Sequence, residues 1–312
     1  MLVYILKRLL GIIPTLLIII TISYFLIRMA PGGPFDLDQT LPPEIQASLE
    51  AKYHFDKPLP VQFGYYIADL MRGDFGPSFQ YNNYSVTELI MQGFPISLQL
   101  GLSAILLALI IGCGAGMVAA YRQNSRYDYI LMSIAMLGIS IPNFVMAPIL
   151  ILLLAVLLPV FPAGGWDDGS LMNQVLPVVA LALPQIAYIA RITRGSMLDV
   201  LRTGYIRTAF SKGLPTHIIL LRHALKPALL PVVSYLGPAI AGIITGSVVI
   251  EQIFGIPGLG RYFVQGALNR DYTLVMGVVV FYGVLIVLLN LLVDLVYGLL
   301  DPQIRLGAQS SD

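Results

Sequence analysis

Residues 89–121 read LIMQGFPISLQLGLSAILLALIIGCGAGMVAAY and contain no Asp, Glu, Lys or Arg. An α-helix rises about 1.5 Å per residue, so about 20 apolar residues cross the hydrocarbon core of a bilayer. The stretch is longer than one crossing and therefore includes some loop. It predicts a membrane-spanning helix over residues 97–121.

Five more uncharged stretches lie along the chain, and each predicts one membrane-spanning helix by the same length argument. They are Leu9–Ile27, Tyr129–Trp166, Gly169–Ala190, Pro227–Ile250 and Tyr272–Val293. The corresponding helices are expected near residues 9–29, 130–158, 173–191, 228–250 and 274–298. The sequence therefore predicts an all-α membrane protein with six transmembrane helices.

The composition agrees with this fold class. Hydrophobic residues make up 57% of the 312 residues and charged residues 11%, against roughly 25% charged residues in an ordinary soluble domain. A soluble globule of this composition would expose large apolar patches, and a disordered chain needs the opposite composition. The single cysteine, Cys113, excludes an internal disulfide and a zinc site built from several cysteines.

Basic residues are distributed unevenly between the loops. With a cytoplasmic N-terminus, most Lys and Arg lie on the cytoplasmic side, and most acids, such as Glu44 and Asp74, lie outside. This arrangement follows the positive-inside rule. We expect the first helix to be a retained anchor, because its apolar run is long and no small-residue cleavage site follows it. An even number of spans then places both termini in the cytoplasm.

The loops divide the chain into parts. An anchor helix (1–30) precedes a helical insertion on the outer side (31–94), a core transmembrane domain with five helices (95–300) and a cytoplasmic tail (301–312). Within the insertion, Pro43–Tyr53 and Leu59–Arg72 predict short amphipathic helices. The insertion is interpreted either as a lid over the helix tops or as a docking surface for an external partner.

The loop 191–226 carries seven basic residues and one acid, Asp199. Apolar residues at every fourth position predict a helix over Ser196–Ser211. Gly213 can end this helix in a left-handed conformation, and Pro215 can occupy the first position of a second helix that stops before Pro227. A helix lying on anionic lipid and a topology signal are two simpler explanations. The tight elbow between two helices favours a socket on another protein.

Motifs for enzymatic chemistry are absent from the sequence. It contains no Gly-x-x-x-x-Gly-Lys-Ser/Thr and no His-Glu-x-x-His, and its three histidines have no metal-ligand spacing. We therefore expect no catalytic residue and no metal site. The predicted spans contain no acid except Asp294, whereas an ion-coupled carrier needs ionisable groups near the midplane. The energy for any transport is expected to come from outside this chain.

Polar side chains in the spans, or beside breaks in them, are candidates for the lining of a cavity between the helices. For each of them the alternative is a local hydrogen bond to the preceding helical turn. The candidates are Ser140, Asn143, Gln185, Tyr188, Ser234, Tyr235, Thr245 and Ser247.

Four motifs resemble those of ABC importer permeases, in the branch that transports dipeptides, oligopeptides and nickel. They are Lys7-Arg8-Leu9-Leu10, Gly73-Asp74-Phe75-Gly76-x-Ser78, Arg207-Thr208-Ala209-x-x-x-Gly213 and Glu251-x-x-Phe254-x-x-Pro257-Gly258-x-Gly260. The third resembles the family's Glu-Ala-Ala…Gly loop, with Arg207 in place of Glu and Thr208 in place of the first Ala. Stretches 190–197 and 222–231 are most similar to the B-type permease subunits of oligopeptide importers.

The resemblance implies a type I ABC importer permease fold in a bacterial inner membrane and transport of oligopeptides from periplasm to cytoplasm. It implies a second permease subunit, two ATP-binding subunits that bind ATP and Mg, and a periplasmic solute-binding protein. This chain would itself hold no cofactor, and no nucleic acid is implied as a partner.

The resemblance also implies roles for particular residues. It makes the eight polar residues of the spans candidates for the lining of a translocation pathway. The elbow would be a coupling helix seated on one ATPase. The motif maps onto Arg207, Thr208, Ala209 and Gly213, and the elbow geometry adds Leu214, Pro215 and His217. A periplasmic gate would include Glu251, Phe254, Pro257, Gly258 and Gly260. The alternative for Glu251 is simple solvation at the membrane surface.

Other functions stay open at this point. The same machinery could carry dipeptides, glutathione or nickel chelates, because the binding protein largely chooses the cargo. From different classes, the chain could be an ion-coupled carrier acting alone, or an assembly factor or receptor that docks partners without transport.

Overall fold

A computed structural model describes residues 2–29, 57–81 and 83–300. Apart from an isolated bridge between Pro77 and Ser85, this part of the chain consists of helices and connecting turns. The helices are α1 (Leu2–Met29), α2 (Leu59–Met71), α3 (Val86–Tyr121), α4 (Arg126–Ser140), α5 (Asn143–Ile151), α6 (Leu171–Leu201), α7 (Gly204–Ser211), α8 (Thr216–Ile218), α9 (Leu225–Ala228), α10 (Leu230–Phe254), α11 (Leu259–Leu268) and α12 (Tyr272–Leu300). Two π-helical segments, Leu152–Leu157 and Ile219–Ala224, follow α5 and α8, and a 3-10 turn covers Asp167–Gly169.

The helices account for the predicted membrane spans. In the described ranges, 5 helices are long and apolar enough to cross a bilayer, namely α1, α3, α6, α10 and α12. A sixth span results when α4 is taken together with α5 and the π-helical segment after it, with a bend of 104° at the break. The prediction of six spans is confirmed on this count, and the break lies at Ile141 and Pro142, inside the span predicted near residues 130–158.

Helix α3 begins well before its predicted start at residue 97, so that boundary was wrong. The Glu88 amide donates to Ser85 Oγ at 3.2 Å, and the Ser85 amide donates to Glu88 Oε2 at 2.8 Å. This reciprocal capping box satisfies two amides that a helix start otherwise leaves without partners. Pro95 lies inside the helix, which continues through it.

The chain divides by packing into two compact units. The first comprises the described residues of Met1–Arg8, Ser97–Ile256 and Ile286–Asp312, and the second those of Leu9–Ile96 and Pro257–Leu285. The domain boundaries at residues 30, 94 and 300 remain a prediction. Helix α2 confirms the helix predicted at Leu59–Arg72, whereas the helix predicted at Pro43–Tyr53 lies outside the described residues.

In the second unit, α2 packs on the end of α1 through aromatic rings. Tyr24 is 2% exposed, and its ring centroid lies 5.2 Å from that of Phe63 and 5.5 Å from that of Tyr66. Burial raises the pKa of Tyr66, so its hydroxyl stays neutral at any physiological pH. This packing fixes the described part of the insertion on the first span.

The Gly73–Ser78 motif has a structural role in the same unit. Ser78 Oγ donates to Asp271 Oδ2 at 2.5 Å, and the amides of Phe79 and Gln80 donate to the same oxygen at 3.0 Å. Asp271 Oδ1 accepts from the Leu274 amide at 3.1 Å, which caps the start of α12. The fully buried Asp271 carboxylate therefore holds the 78–80 turn on α12.

In the first unit, α3 and α6 approach so closely that a side chain has no room between them. A Cβ added at Gly116 would lie 2.5 Å from the Ala190 carbonyl oxygen and 2.7 Å from Thr193 Cβ. A Cβ at Gly112 would lie 2.9 Å from the Ile186 carbonyl oxygen. The small-xxx-small pattern on α3 thus brings two helix backbones into contact.

Candidate functional site

The elbow, residues 204–228, consists of α7, the turn at Gly213, α8, the π-helical segment and α9. Gly213 has φ +73°, a left-handed conformation. Its amide donates to the Phe210 carbonyl at 2.9 Å, and the Leu214 amide donates to the Ala209 carbonyl at 3.3 Å. These two bonds form a Schellman motif, the helix ending that favours glycine at this position.

A core of small and aliphatic side chains fixes the elbow to the neighbouring helices. Ile206 on α7 is 0% exposed and packs with Ala120 at the end of α3 and Met197 on α6. Ala209, Ile219, Ala224 and Ala228 belong to the same cluster. The elbow is therefore packed rigidly on the ends of α3 and α6 and is not a loosely attached loop.

The predicted coupling residues divide between this core and the surface. Ala209 is buried and Leu214 is half-buried against the cluster. The exposed members are Arg207, Thr208, Gly213, Pro215 and His217, with Tyr205 and Phe210 exposed beside them. A rigid elbow that presents aromatic, basic and polar groups together is suited to insertion into a groove on another protein.

Three predictions about the elbow were wrong in detail. The predicted helix Ser196–Ser211 is interrupted at Arg202 and Thr203, where Thr203 Oγ1 donates to the Val200 carbonyl at 2.6 Å and competes with the helical ladder. Pro215 is the cap residue before α8 and not its first residue. The second helix predicted for the elbow does not stop before Pro227. This proline lies in the first turn of α9, where the backbone amides have no partner within the helix and proline can therefore be accommodated.

The structure brings three of the eight pathway candidates together. The Tyr235 hydroxyl on α10 donates to Gln185 Oε1 on α6 at 2.6 Å, and the rings of Tyr235 and Tyr188 lie 5.9 Å apart. Tyr188 is 42% exposed. This Tyr–Gln–Tyr cluster offers aromatic faces together with a neutral amide, without a fixed charge.

The remaining candidates behave differently. The hydroxyls of Ser140, Ser234 and Thr245 donate to carbonyls four residues earlier, at 2.8, 3.2 and 2.8 Å. For these three residues the hydroxyl thus makes a local hydrogen bond to the preceding helical turn, which was the alternative to lining a pathway. Asn143 is the first residue of α5, directly after the 104° bend. The Ser247 hydroxyl is hydrogen-bonded to Glu251, one of the residues predicted to form the gate.

The predicted gate lies at the end of α10. Glu251 is 0% exposed and accepts a hydrogen bond of 2.6 Å from Ser247 Oγ, so it is not a solvated surface carboxylate. Phe254 is 2% exposed, and Gly255 (φ +66°) ends the helix in a second Schellman motif. The Gly165 amide donates to the Phe254 carbonyl at 2.7 Å, so the loop before α6 holds this helix end.

The rest of the gate motif belongs to the second unit. Gly258 is the cap residue of α11, with extended φ and ψ, and Gly260 lies in the first turn. Both glycines are buried, and Pro257 is half-buried.

Sequence reasoning missed two buried carboxylates. Asp271 is described above, and Asp128 forms a two-pronged ion pair with Arg194. A signal for Asp128 was present, because Ser125-x-x-Asp128 is typical of a helix start. The partner Arg194 could not be assigned without knowing which helices are neighbours.

Comparisons with known families decide between the interpretations of this arrangement. Residues 112–306 match the family described as the inner membrane component of binding-protein-dependent transport systems, and residues 1–101 match its N-terminal region. The chain belongs to this family of permeases. It is therefore a multi-pass inner membrane component of an ABC importer and not an enzyme.

Similar permeases match over nearly the whole chain. Identity is 55% to the oligopeptide transport system permease protein OppB of Escherichia coli K12 over 305 residues, 98% of this chain and 100% of that protein. It is 53% over the same coverage to OppB of Haemophilus influenzae. The dipeptide transport system permease protein DppB of Bacillus subtilis is 47% identical over 97% of this permease and 98% of its own length.

Solved structures agree on the fold. An inward-facing crystal structure of the MetNI methionine ABC transporter superimposes with a TM-score of 0.59 at 19% identity, covering 68% of this permease and 96% of that chain. An amino acid ABC transporter structure gives a TM-score of 0.51 at 18% identity. The predicted type I importer permease fold is confirmed.

Proposed function

We propose that this chain is the permease subunit of an importer that moves oligopeptides from the periplasm to the cytoplasm. The observation that carries the cargo is the 55% identity to an oligopeptide permease over its full length. Dipeptide import is the second candidate, supported by the 47% identity to DppB of Bacillus subtilis. The higher identity to oligopeptide permeases favours the longer cargo.

A second permease subunit, two ATP-binding subunits and a periplasmic solute-binding protein complete the proposed machine. ATP and Mg are bound by the ATP-binding subunits, because this sequence has no P-loop. The exposed elbow residues Arg207, Thr208, Pro215 and His217 seat on one of those subunits. Closure of the ATPase dimer then displaces a projection that is packed on α3 and α6.

The Tyr–Gln–Tyr cluster is the proposed contact for passing peptide. A path for varied side chains needs weak, reusable contacts, since a tight site would hold one peptide and slow its release. Aromatic faces and one neutral amide meet that need without a charge that would select against acidic or basic peptides. Asn143, beside the bend, is assigned to the same path. The back-bonded Ser140, Ser234 and Thr245 remain weaker candidates.

The proposed orientation follows from α10. Its 25 residues run from Leu230, directly after the elbow, to Phe254 in the gate, and a helix of this length spans about 37 Å. That exceeds the hydrocarbon thickness of about 30 Å, so the elbow and the gate fall on opposite sides of the membrane. The basic elbow belongs in the cytoplasm by the positive-inside rule, which also places both termini there.

The proposal is tested by purifying the tagged chain in mild detergent from its own host and identifying what accompanies it. The complex is then reconstituted in vesicles with binding protein and a labelled five-residue peptide. We expect a second permease and ATP-binding subunits to co-purify, and uptake to require ATP and binding protein. Uptake by the chain alone would contradict the proposal. Faster uptake of a labelled dipeptide than of the five-residue peptide would assign dipeptides as the cargo and leave the proposed mechanism unchanged.

A further inference from the structure

A two-pronged ion pair lies on the side of the first unit that carries the elbow. Arg194 Nε donates to Asp128 Oδ1 and Arg194 Nη2 donates to Asp128 Oδ2, both at 2.7 Å. The Asn124 amide donates to Asp128 Oδ2 at 2.9 Å. Asp128 is 2% exposed, and such parallel, charge-assisted bonds fix direction as well as distance.

The pair ties α4 to α6 at the first turn of α4. The contact between the two helices continues to the other end, where a Cβ at Gly138 would lie 3.2 Å from the Leu183 carbonyl oxygen. Two residues beyond Gly138, α4 ends at Ser140, and the 104° bend follows. A displacement of α6 at Arg194 is therefore carried along α4 to the bend.

The same segment of α6 is fixed to the elbow. Seven residues after Arg194 the helix ends at Leu201, and Met197 is fully buried in the cluster that contains Ile206 of α7. The contact at Gly116 also holds α3 against Ala190 and Thr193. Arg194 thus lies where the elbow, α3 and α6 form one packed body, and Asp128 attaches the first turn of α4 to that body.

Stability alone is a weak reason for such a pair. The Asp128 side chain is buried and that of Arg194 is 28% exposed. Removing a carboxylate and part of a guanidinium from water costs solvation that their attraction often only offsets, and apolar residues of similar size stabilise as well. Unlike apolar packing, this ion pair specifies one register between two helices, because the planar guanidinium bonds both carboxylate oxygens in one orientation.

We propose that Asp128 and Arg194 are positioning residues that make α4 move with the elbow, so that ATP-driven displacement of the elbow reaches the bend at Ile141–Pro142. This inference rests on the proposed function, because it names the route by which motion of that elbow enters the membrane. The break at which α5 can change its angle to α4 then lies at the far end of α4.

The direct test is a distance between spin labels at Ile134, which is 61% exposed on α4, and Arg202, which is exposed at the end of α6. The assembled complex is used, with Cys113 replaced by Ser throughout. We expect one narrow distance distribution that is the same without nucleotide and with ATP trapped by vanadate. In Asp128→Asn the distribution broadens. A distance that changes with nucleotide in the unmodified pair would overturn the proposal, as would a narrow distribution in Asp128→Asn.

Transport assays give an independent readout. We expect Asp128→Asn, Arg194→Gln and Arg194→Lys to lower uptake by roughly tenfold while ATP hydrolysis stays within about twofold, as expected when coupling between two sites is weakened. The control is Arg191→Gln. Arg191 is an exposed cation on the same helix, and in the described ranges its guanidinium donates a hydrogen bond to the Met136 sulfur at 3.9 Å and forms no ion pair with a carboxylate. Equal uptake in all variants would overturn the proposal.

Failure of the proposed function can be told apart from failure of this inference. A complex that binds nucleotide but transports no peptide contradicts the function, whereas the label distance still reports whether α4 and α6 move together. If Asp128→Asn does not assemble, the unmodified label pair and Arg194→Lys decide the question.

Discussion

The hydroxyl of Ser247 donates a 2.6 Å hydrogen bond to Glu251 Oε1, one turn further along the same helix. Both side chains are fully buried, and Glu251 is the one charged residue among the 25 residues of α10. Residues four apart share one helix face, so the bond fixes the carboxylate against α10. This hydrogen bond therefore links Ser247, which is assigned to the pathway, to Glu251, which is assigned to the gate.

Replacement of Glu251 by Gln should change transport and leave assembly intact. The amide keeps the shape and one oxygen acceptor but loses the charge that strengthens the bond, a change of about 1–2 kcal/mol. We expect peptide uptake by the reconstituted complex to change about tenfold with that energy. Gln252→Ala, at the exposed neighbouring position, is the matched control. Uptake by Glu251→Gln equal to that of the control would show that the carboxylate has no part in the gate.

Replacement of Gly213 by Val should uncouple ATP hydrolysis from uptake. No described residue beyond its chain neighbours lies within 4 Å of a Cβ at this position, so the effect comes from the backbone, whose φ is +73°. An L-residue costs about 1–2 kcal/mol in this conformation and a β-branched residue resists it further. Hydrolysis and uptake are measured on the same vesicles. Gly213→Asn tolerates a left-handed φ and should behave as wild type; similar uptake in both variants would argue against a rigid elbow.

Tyr235→Phe should weaken the handling of peptide without affecting hydrolysis. The variant loses the bond to Gln185 and keeps the ring contact with Tyr188. One neutral hydrogen bond contributes about 0.5–1.5 kcal/mol, so we expect the half-saturating concentration for uptake to rise roughly three- to tenfold. Thr15→Val removes a hydroxyl that is bonded to the Gly11 carbonyl within α1, is not among the pathway candidates, and serves as the control. The same kinetics in both variants would remove the cluster from the pathway.

Gly116→Ala should destabilise the protein, because the new Cβ would lie 2.5 Å from the Ala190 carbonyl oxygen. Overpacking of this kind costs about 1–3 kcal/mol. The loss is read from thermal unfolding of the complex in detergent. Gly114→Ala lies two residues away on the same helix. There the described part of the chain places no atom from outside the local helix within 4 Å of a Cβ, so this variant should be neutral or slightly stabilising. A melting temperature shared by the two variants would contradict the close packing of α3 on α6.

The spans were predictable because uncharged length is a strong and local signal. The left-handed Gly213 was equally accessible, since glycine after a helical stretch and before a Leu-Pro pair leaves few other conformations. The break at Arg202 and Thr203 was not, because the four-residue spacing of Met197, Leu201, Tyr205 and Ala209 continues across it. In the structure Tyr205 is 49% exposed, so the repeat does not follow one buried face.

Pairings between distant residues were beyond local patterns. Asp128 meets Arg194 across 66 positions and Ser78 meets Asp271 across 193. Each pair depends on which helices are neighbours, and uncharged spans of similar composition do not encode that order. The burial of Glu251 was missed for the same reason, because the loop at Gly165 that holds the end of α10 arrives from another part of the chain.

The central claim is that the elbow seats on an ATP-binding partner, and photocrosslinking from its surface tests this most directly. A photoreactive amino acid is placed at the exposed Thr208, or at Tyr84 in the second unit, which is 47% exposed. The account predicts that Thr208 captures a subunit that is also labelled by azido-ATP and that Tyr84 does not. Capture of no ATP-binding subunit from Thr208, or equal capture from both positions, would contradict it.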